Sequence, residues 1–183
     1  MDRAQARAMV RKYSQKDTTV RHLISVEGVM RALARDFGED EERWGLAGLF
    51  HDLDQDQTHG DLSRHARESV AWLRAEGFED EQVLNAVLAH MYEENQTDLM
   101  SKSIVHADGI SGLLVACALV RPNKAIGMKV SSVKKKLREK SFAPGVERDK
   151  IYGVEESIGV PMDDFIAVSI TGLQEVAGEI GLT

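Results

Sequence analysis

Hydrophobic residues recur three or four positions apart along most of this chain, the spacing that places them on one face of an α-helix. Turn-forming residues separate the periodic stretches, and the chain contains only three prolines. The pattern predicts helices over about 2–13, 19–37, 40–53, 63–76, 80–90, 101–120, 147–158 and 163–180. We find no convincing strand pattern, so we predict an all-α fold.

The last third of the chain differs from the rest in composition. Residues 129–140 form a basic block in which six cationic side chains are opposed only by Glu139. We interpret residues 1–183 as a single domain, with a core over 18–120 and a C-terminal elaboration over 121–183. The final helices are expected to cover one end of the bundle.

Charge and cysteine content narrow the classes of partner and compartment. The formal net charge of −7 argues against binding to extended nucleic acid and still permits a small phosphorylated ligand. The single cysteine, Cys117, excludes an internal disulfide and fits a reducing cytosol. The longest apolar stretch, Ile110 to Val120, is too short to span a bilayer, and we see no export signal. We expect a cytoplasmic protein that does not bind membranes, and the sequence leaves its oligomeric state open.

Four histidines and two aspartates lie on or beside the apolar faces of the predicted helices. They are His22, His51, Asp52, His65, His90 and Asp108. Imidazoles and carboxylates without a thiolate suit Mn, Fe, Co, Ni or Zn, and this number of ligands could hold one or two divalent ions. An unpaired carboxylate among the apolar neighbours of Asp108 would cost several kcal/mol, which a metal ion would offset. Taken singly, each residue is more often part of the core than a ligand, but the set predicts a metal site.

The order of these residues resembles that of the HD-domain superfamily: a histidine, a histidine-aspartate pair, two histidines and an aspartate. The segments Gly48–Asp54 and Ile104–Asp108 are similar to its two most recognisable motifs, and the resemblance covers roughly residues 18–120. The nearest likeness is to the binuclear branch of bacterial diadenosine tetraphosphate hydrolases. The resemblance implies an HD-domain-like helical bundle with additional C-terminal helices.

The resemblance also implies a role for each candidate ligand. The residues that match ligands shared by mononuclear members are His22, His51, Asp52 and Asp108. The residues that match the additional ligands of binuclear members are His65 and His90. In a binuclear site we expect Asp52 to bridge the two ions, and we assign catalytic roles to Asp52, His65 and His90.

Two further histidines are weighed against this set. His59 follows the His51-Asp52 pair closely enough to compete with His65 as a ligand. We prefer His65 because its helix resembles the one that follows the pair in the diadenosine tetraphosphate hydrolase branch. His106 is two residues from Asp108, so helical geometry directs it to a different face, and we assign it no functional role.

The resemblance implies a metal-dependent phosphohydrolase that acts on a small nucleotide or another phosphate ester. Two ions about 3.5 to 4 Å apart would activate water for attack on phosphorus. Cations outside the metal shell would bind phosphate, and the candidates are Arg21, Arg64, Lys102, Lys129 and Lys134–Lys136. Two alternatives remain open, a di-iron oxygenase of the same superfamily and a nucleotide-binding module with a structural metal.

The segment after the His-Asp pair departs from the better-defined branches of the superfamily. Gln55 stands where many binuclear relatives carry lysine and where the nucleotidase branch carries a catalytic glutamate. Residues 54–61 lack apolar periodicity and contain Gly60, so we expect a surface loop near the metals. Asp54 and Asp56 would make the mouth of the site acidic, which would repel phosphate unless metals or nearby cations overcome the repulsion. The substrate is therefore left open.

Overall fold

The computed structural model describes residues 1–58 and 60–183. Its α-helices, in chain order, are α1 (Arg3–Tyr13), α2 (Asp17–Phe37), α3 (Glu41–Phe50), α4 (Gln55–Thr58), α5 (Arg67–Ala75), α6 (Glu81–Ala89), α7 (Leu99–Leu119), α8 (Val130–Arg138), α9 (Arg148–Tyr152), α10 (Val154–Ile158) and α11 (Met162–Val176). A short 3₁₀ helix, Glu93–Asn95, precedes α7. The described residues contain no strand, which confirms the all-α prediction.

Helix α2 lies at the centre of the bundle and packs against α3, α7 and α11. Glycines allow two of these contacts to be very close. A Cβ on Gly48 of α3 would lie 2.8 Å from the backbone of Glu27. A Cβ on Gly172 of α11 would lie 2.3 Å from the carbonyl oxygen of Gly28. No other residue fits at these distances, so the glycines determine how near α3 and α11 approach α2.

A buried carboxylate joins α1 to α2 and to the C-terminal part of the chain. The side chain of Glu27 is fully buried, and its oxygens lie 2.6 Å from Nε of Arg3 and 2.5 Å from Nη2 of Arg7. Both arginines also reach Glu179, at 2.8 and 2.9 Å. A lone buried charge costs several kcal/mol, so Glu27 is tolerated in the core because these arginines compensate it.

The residues beyond 120 share an apolar core with the rest of the chain. Ile151 of α9 and Phe165 and Leu173 of α11 are fully buried in the same cluster as the core residues of α2 and α7. Helix α9 packs against α7, and α8 packs against both α7 and α11. The division of the chain into a core and an elaboration stays a prediction.

One arginine organises the segment between α8 and α9. The guanidinium of Arg148 donates hydrogen bonds to the backbone carbonyls of Leu137 and Glu139, at 2.9 and 3.1 Å, and to that of Phe142. It satisfies carbonyls near the end of α8 that have no partner within the helix. These bonds fix where α9 begins.

Helix α7 is long and apolar enough to cross a membrane by length and composition alone. It begins 11 residues before the Ile110–Val120 stretch, which is the longest apolar stretch of the sequence, and ends at Leu119. In the structure, 67% of its most apolar window is buried inside the fold, against α2, α6 and α9 among others. A central core helix needs an apolar surface on most sides, and this burial accounts for the composition of α7.

Three predicted elements differ from the structure for local reasons. Helix α5 begins four residues later than predicted because Ala66 adopts a φ of 65°, which interrupts the helix. The helix predicted over 147–158 is two helices, α9 and α10, that meet at Gly153. The surface loop predicted over 54–61 contains the short helix α4, so that prediction is wrong for residues 55–58.

Three predicted boundaries also move. Helix α3 ends at Phe50, so the His51-Asp52 pair lies at its end and in the following turn. Helix α7 begins two residues early because Asp98 and Ser101 form a capping box. Helix α11 ends four residues before its predicted end.

Asp56, which we expected at an acidic mouth, instead caps the start of α2. Its Oδ2 accepts hydrogen bonds from the backbone amides of Gln15 and Lys16, both at 2.8 Å. Its Oδ1 accepts one from the hydroxyl of Thr19, also at 2.8 Å. The acidic-mouth prediction is wrong here because the carboxylate satisfies amides at the N-terminus of α2.

We expect Asp56→Asn to lower the free energy of unfolding by about 1–2 kcal/mol at neutral pH, because a charged acceptor is lost. Burial alone would raise the pKa of Asp56, but the amide of Lys16 and the hydroxyl of Thr19 outweigh it and lower the pKa. A carboxylate with a lowered pKa stabilises the fold above its unfolded pKa of about 3.9. This contribution disappears as the pH falls through the folded-state pKa. Urea unfolding across this pH range measures the difference between variant and wild type.

Asp36→Asn is the matched control, because Asp36 is an exposed carboxylate near the other end of α2. Its unfolding free energy should follow that of the wild type across the same pH range. A similar loss in both variants would contradict the capping role of Asp56. A loss in Asp56→Asn that does not change with pH would contradict it equally.

Candidate metal centre

The six predicted ligands converge at one point of the bundle. They are His22 in α2, His51 and Asp52 at the end of α3, His65 in the turn before α5, His90 at the end of α6, and Asp108 in the middle of α7. The close crossing at Gly48 brings the end of α3 beside the first turns of α2. The prediction that each ligand lies within a helix is confirmed for His22 and Asp108. It is wrong for the other four: His51, Asp52 and His90 lie just beyond helix ends, and His65 lies in a turn because the helix is interrupted at Ala66.

His22, His51 and Asp108 form the first donor group. The Nε2 atom of His22 lies 3.3 Å from Nε2 of His51 and 3.2 Å from Oδ1 of Asp108. The distance from His51 Nε2 to the same oxygen is 3.8 Å. Three donors from α2, α3 and α7 therefore face a common point.

Asp52, His65 and His90 form the second donor group. The Nε2 atoms of His65 and His90 lie 3.2 Å apart. Oδ1 of Asp52 lies 3.1 Å from the first of these nitrogens and 3.2 Å from the second. This group joins the end of α3 to the end of α6 and to the turn before α5.

Asp52 also faces the first donor group through its other oxygen. Its Oδ2 lies 3.7 Å from Nε2 of His22 and 3.6 Å from Nε2 of His51. One carboxylate therefore points a separate oxygen at each group. A carboxylate in this position could contribute a ligand atom to each group.

Backbone carbonyls hold two of the imidazoles. Nδ1 of His51 donates to the carbonyl of Gly48 at 2.9 Å, and Nδ1 of His90 donates to that of Val87 at 2.6 Å. The last carbonyls of a helix have no partner within it, so the ends of α3 and α6 supply these acceptors. A proton held on Nδ1 leaves the Nε2 lone pair of each ring directed at the donor groups.

The donor groups fit divalent metal ions. Ligand atoms about 2.0–2.2 Å from one ion lie roughly 3.0–3.5 Å from each other, close to the separations within each group. Within each group two ring nitrogens face each other, an arrangement that a cation between them would stabilise. Oδ1 of Asp52 is buried, and the described residues give it no well-aligned hydrogen bond. An ion would satisfy this atom.

The carboxylates also attract protons to the imidazoles. Burial alone would lower the pKa of His65, but Asp52 and Asp54 outweigh burial and raise it to about 10. Burial alone would raise the pKa of Asp108, but hydrogen bonds from the imidazoles of the first group hold it well below its usual range. Protons and divalent cations therefore compete for the same atoms.

Asp54 lies behind His65, so its predicted place in an acidic mouth is wrong. It is fully buried, and its Oδ1 accepts a hydrogen bond from Nδ1 of His65 at 2.8 Å. Its Oδ2 accepts one from the backbone amide of Ser69 at 3.1 Å. A carboxylate in this position fixes the tautomer of an imidazole ligand and directs Nε2 at the metal. The only feature of the sequence that could have indicated this role was the presence of an acidic residue close after the His-Asp pair.

An open cavity of about 670 Å³ lies over the two donor groups. Gln55 lines it, and Lys150 is the one lysine or arginine among its described lining residues. Nζ of Lys150 lies 3.4 Å from Oδ2 of Asp108 and 2.9 Å from Oε1 of Glu147. Lys150 could not be predicted from the sequence, because no local pattern brings residue 150 near the ligands.

Helix α9 carries Lys150 to the cavity because α7 has a small residue where the two helices meet. A Cβ on Gly109 would lie 3.1 Å from Cβ of Lys150. Nδ1 of His106 donates to the backbone carbonyl of Lys150. His106 faces away from the six ligands, as its position predicts, and its structural contribution is to anchor α9.

None of the cations that we predicted as phosphate contacts lines this cavity. They are Arg21, Arg64, Lys102, Lys129 and Lys134–Lys136. Arg64 instead pairs with Glu68 at 3.0 Å, and Lys134 pairs with Asp163. Arg21 lines a neighbouring groove. His59, the competitor of His65, lies outside the described residues.

Comparison with known families agrees with this arrangement. A family model described as HD domain matches residues 19–113, just over half of the chain. The chain therefore belongs to the HD domain family. HD domains bind divalent metals, and both donor groups lie within the matched residues. No solved structure matches the chain.

We expect Asp54→Ala to weaken metal binding at the second donor group by roughly 10- to 100-fold, because His65 loses the acceptor that orients it. The first donor group does not contact Asp54 and should keep its affinity. Calorimetric titration of metal-free protein with Zn²⁺ or Mn²⁺ measures both affinities.

Asp56→Asn is the matched control, since that carboxylate lies two residues away and faces the start of α2. Its metal affinities should equal those of the wild type. Unchanged binding in Asp54→Ala would contradict the orienting role of Asp54. An equal loss at both donor groups would show a general disturbance instead, and would also contradict it.

Proposed function

We propose that this protein is a binuclear metal-dependent phosphohydrolase acting on a small phosphorylated substrate. The observation that carries the proposal is the position of Asp52, whose two oxygens face separate donor groups below an open cavity. Membership of the HD domain family supports the class of reaction. The number of ions and the substrate are our proposals.

Divalent ions held by the two donor groups would polarise the phosphoryl oxygen and activate water for in-line attack. The residues of the chain supply the rigid frame for that chemistry. The carbonyls of Gly48 and Val87 hold His51 and His90, and Asp54 holds His65. Ligands fixed in this way do not have to reorganise during the reaction, which lowers its barrier.

Lys150 is our candidate for the residue that binds the substrate phosphate. Its Nζ lies at the cavity wall between two carboxylates, so the ammonium remains charged and an incoming phosphate would be a further anionic partner. It comes from α9, outside the residues that match the family model. Gln55, which stands where many binuclear relatives carry lysine, cannot provide this charge.

The size of the cavity suits a small substrate. A volume of about 670 Å³ lies within the range of small-molecule sites and accommodates a nucleoside phosphate. Nucleotides are therefore in the substrate class that we propose. The likeness to the diadenosine tetraphosphate hydrolase branch makes dinucleoside polyphosphates a natural part of a test panel.

The ligand set by itself also suits a di-iron oxygenase or a nucleotide-binding module. The cation in the cavity wall favours an anionic substrate, and for this reason we prefer hydrolysis of a phosphate ester. Substrate-dependent oxygen uptake by iron-loaded protein would instead favour the oxygenase. Nucleotide binding that survives Asp52→Ala, without turnover in either protein, would favour the binding module.

We expect protein loaded with Mn, Fe, Co, Ni or Zn to release phosphate from at least one member of a panel of nucleotides and other phosphate esters. Asp52→Ala should lower kcat by roughly a thousandfold or more, because both ions depend on its carboxylate and together supply several kcal/mol of transition-state stabilisation. A colorimetric phosphate assay measures both. Absence of release with every metal would contradict the proposed function.

We expect Lys150→Met to raise KM about 10- to 100-fold, which corresponds to the loss of one charge-assisted hydrogen bond to phosphate. Lys150→Arg should recover part of this loss because it keeps the positive charge. Metal content should stay at the wild-type level in both variants. Steady-state kinetics on the best substrate of the panel provides the measurement.

Lys140→Met is the matched control, because Lys140 is exposed and does not line the cavity. Its kinetic constants should equal those of the wild type. If Lys150→Met leaves KM unchanged, or if Lys140→Met raises it equally, Lys150 does not bind the phosphate.

A further inference from the structure

A second, mostly apolar groove of about 230 Å³ adjoins the metal cavity. Val115 and Leu119 of α7 form one wall, and Ile180 and Leu182 from the C-terminal turns form another. Leu119 is 64% exposed, which is high for a leucine in a helix of the core. An apolar groove that opens to solvent in this way is suited to binding an apolar group.

The groove lies directly beside the metal cavity. Thr18 and His22 line both spaces. His22 is also a member of the first donor group, so one side of its ring belongs to the metal centre and the groove begins beside it. A molecule with a phosphate at the donor groups could therefore extend past Thr18 into the groove.

The C-terminal wall of the groove is held by hydrogen bonds. The carbonyl of Leu182 accepts a bond from the amide of Ala125 at 3.1 Å, and the amide of Leu182 donates to the carbonyl of Ala177 at 2.8 Å. Nζ of Lys124 donates to the carbonyl of Gly181 at 3.0 Å. The wall is therefore a fixed part of the fold, and the groove exists before any ligand binds.

The chemistry of the lining indicates what the groove would accept. Beside the four apolar side chains, Arg21 is the one lysine, arginine or carboxylate side chain among the described lining residues. Hydrated groups such as sugar hydroxyls would lose hydrogen bonds to water with few replacements, which is unfavourable. An aromatic ring loses little on leaving water, and an arginine guanidinium can stack on its face.

We propose that this groove binds the aromatic group of a phosphorylated substrate whose phosphate faces the metal centre. The proposal rests on the proposed phosphohydrolase function and narrows its substrate class to phosphates that carry an aromatic or heteroaromatic group, including the bases of nucleotides. Phosphates of polyols and short alkyl chains lack the group that would fill the groove. The groove therefore determines specificity, and the donor groups determine the reaction.

Gly112 offers a way to fill the groove, because it lines the groove and does not line the metal cavity. The nearest atom to a Cβ placed on it is Cγ2 of Val146 at 3.6 Å, an ordinary contact. Leucine at this position of α7 also favours the helix over glycine. Gly112→Leu should therefore fold and place its side chain in the groove.

The test uses phosphonates, which cannot be hydrolysed, and the full-length protein loaded with metal. Calorimetry compares the affinities of methylphosphonate and 1-naphthylphosphonate. In the wild type we expect the naphthyl compound to bind at least about 10-fold more tightly, because the groove removes its ring from water. Gly112→Leu should abolish this preference and leave the affinity for methylphosphonate unchanged. Leu119→Asn should reduce the preference, since it makes the exposed wall polar.

Val120→Ala is the control, because Val120 is exposed next to Leu119 and does not line the groove. It should keep the wild-type preference. Equal affinities of the two phosphonates in the wild type, or a preference that persists in Gly112→Leu, would overturn the proposed aromatic site and leave the phosphohydrolase proposal standing. Failure of both phosphonates to bind would contradict the proposed phosphate site, and the aromatic site would fall with it.

Discussion

The carboxylate of Asp52 lies between two pairs of imidazoles, and much of the surrounding structure keeps it there. One of its oxygens lies 3.1 and 3.2 Å from the nitrogens of His65 and His90, and the other lies 3.6 and 3.7 Å from those of His51 and His22. A buried anion in this position is unfavourable unless positive charge compensates it. Divalent ions would provide that charge and would make the cluster a reaction centre.

Close packing and long-range contacts assemble this centre. Gly48 lets the end of α3 approach α2, and Gly109 lets α9 approach α7. The first contact brings His51 close to His22 and Asp108, and the second brings Lys150 to the cavity. The residues that match the HD domain model supply both donor groups, whereas residues after them supply Lys150 and both apolar walls of the groove. Under the proposed function, family membership would account for the metal chemistry and the residues after the match for the substrate.

Helical periodicity was sufficient to predict the all-α fold. The histidines and aspartates beside apolar helix faces indicated a metal site, and the resemblance to the HD-domain superfamily nominated its ligands. Both patterns are local and repeated along the chain, so they can be recognised without knowing how the helices pack. The positive φ of Ala66 could not be predicted, because alanine ordinarily favours the helix that it interrupts here. Asp54 and Lys150 were missed for a different reason. Their importance depends on neighbours 11 and 42 residues away, His65 and Asp108, which only the folded chain brings into contact.

Metal stoichiometry tests the central claim most directly. The wild-type protein, loaded with Mn²⁺ and freed of excess metal, should contain two ions per chain by elemental mass spectrometry. His65→Ala removes a ligand from the second donor group alone and should reduce the content to one ion. A wild-type content of one ion or none, or two ions retained in His65→Ala, would contradict a binuclear centre organised by Asp52.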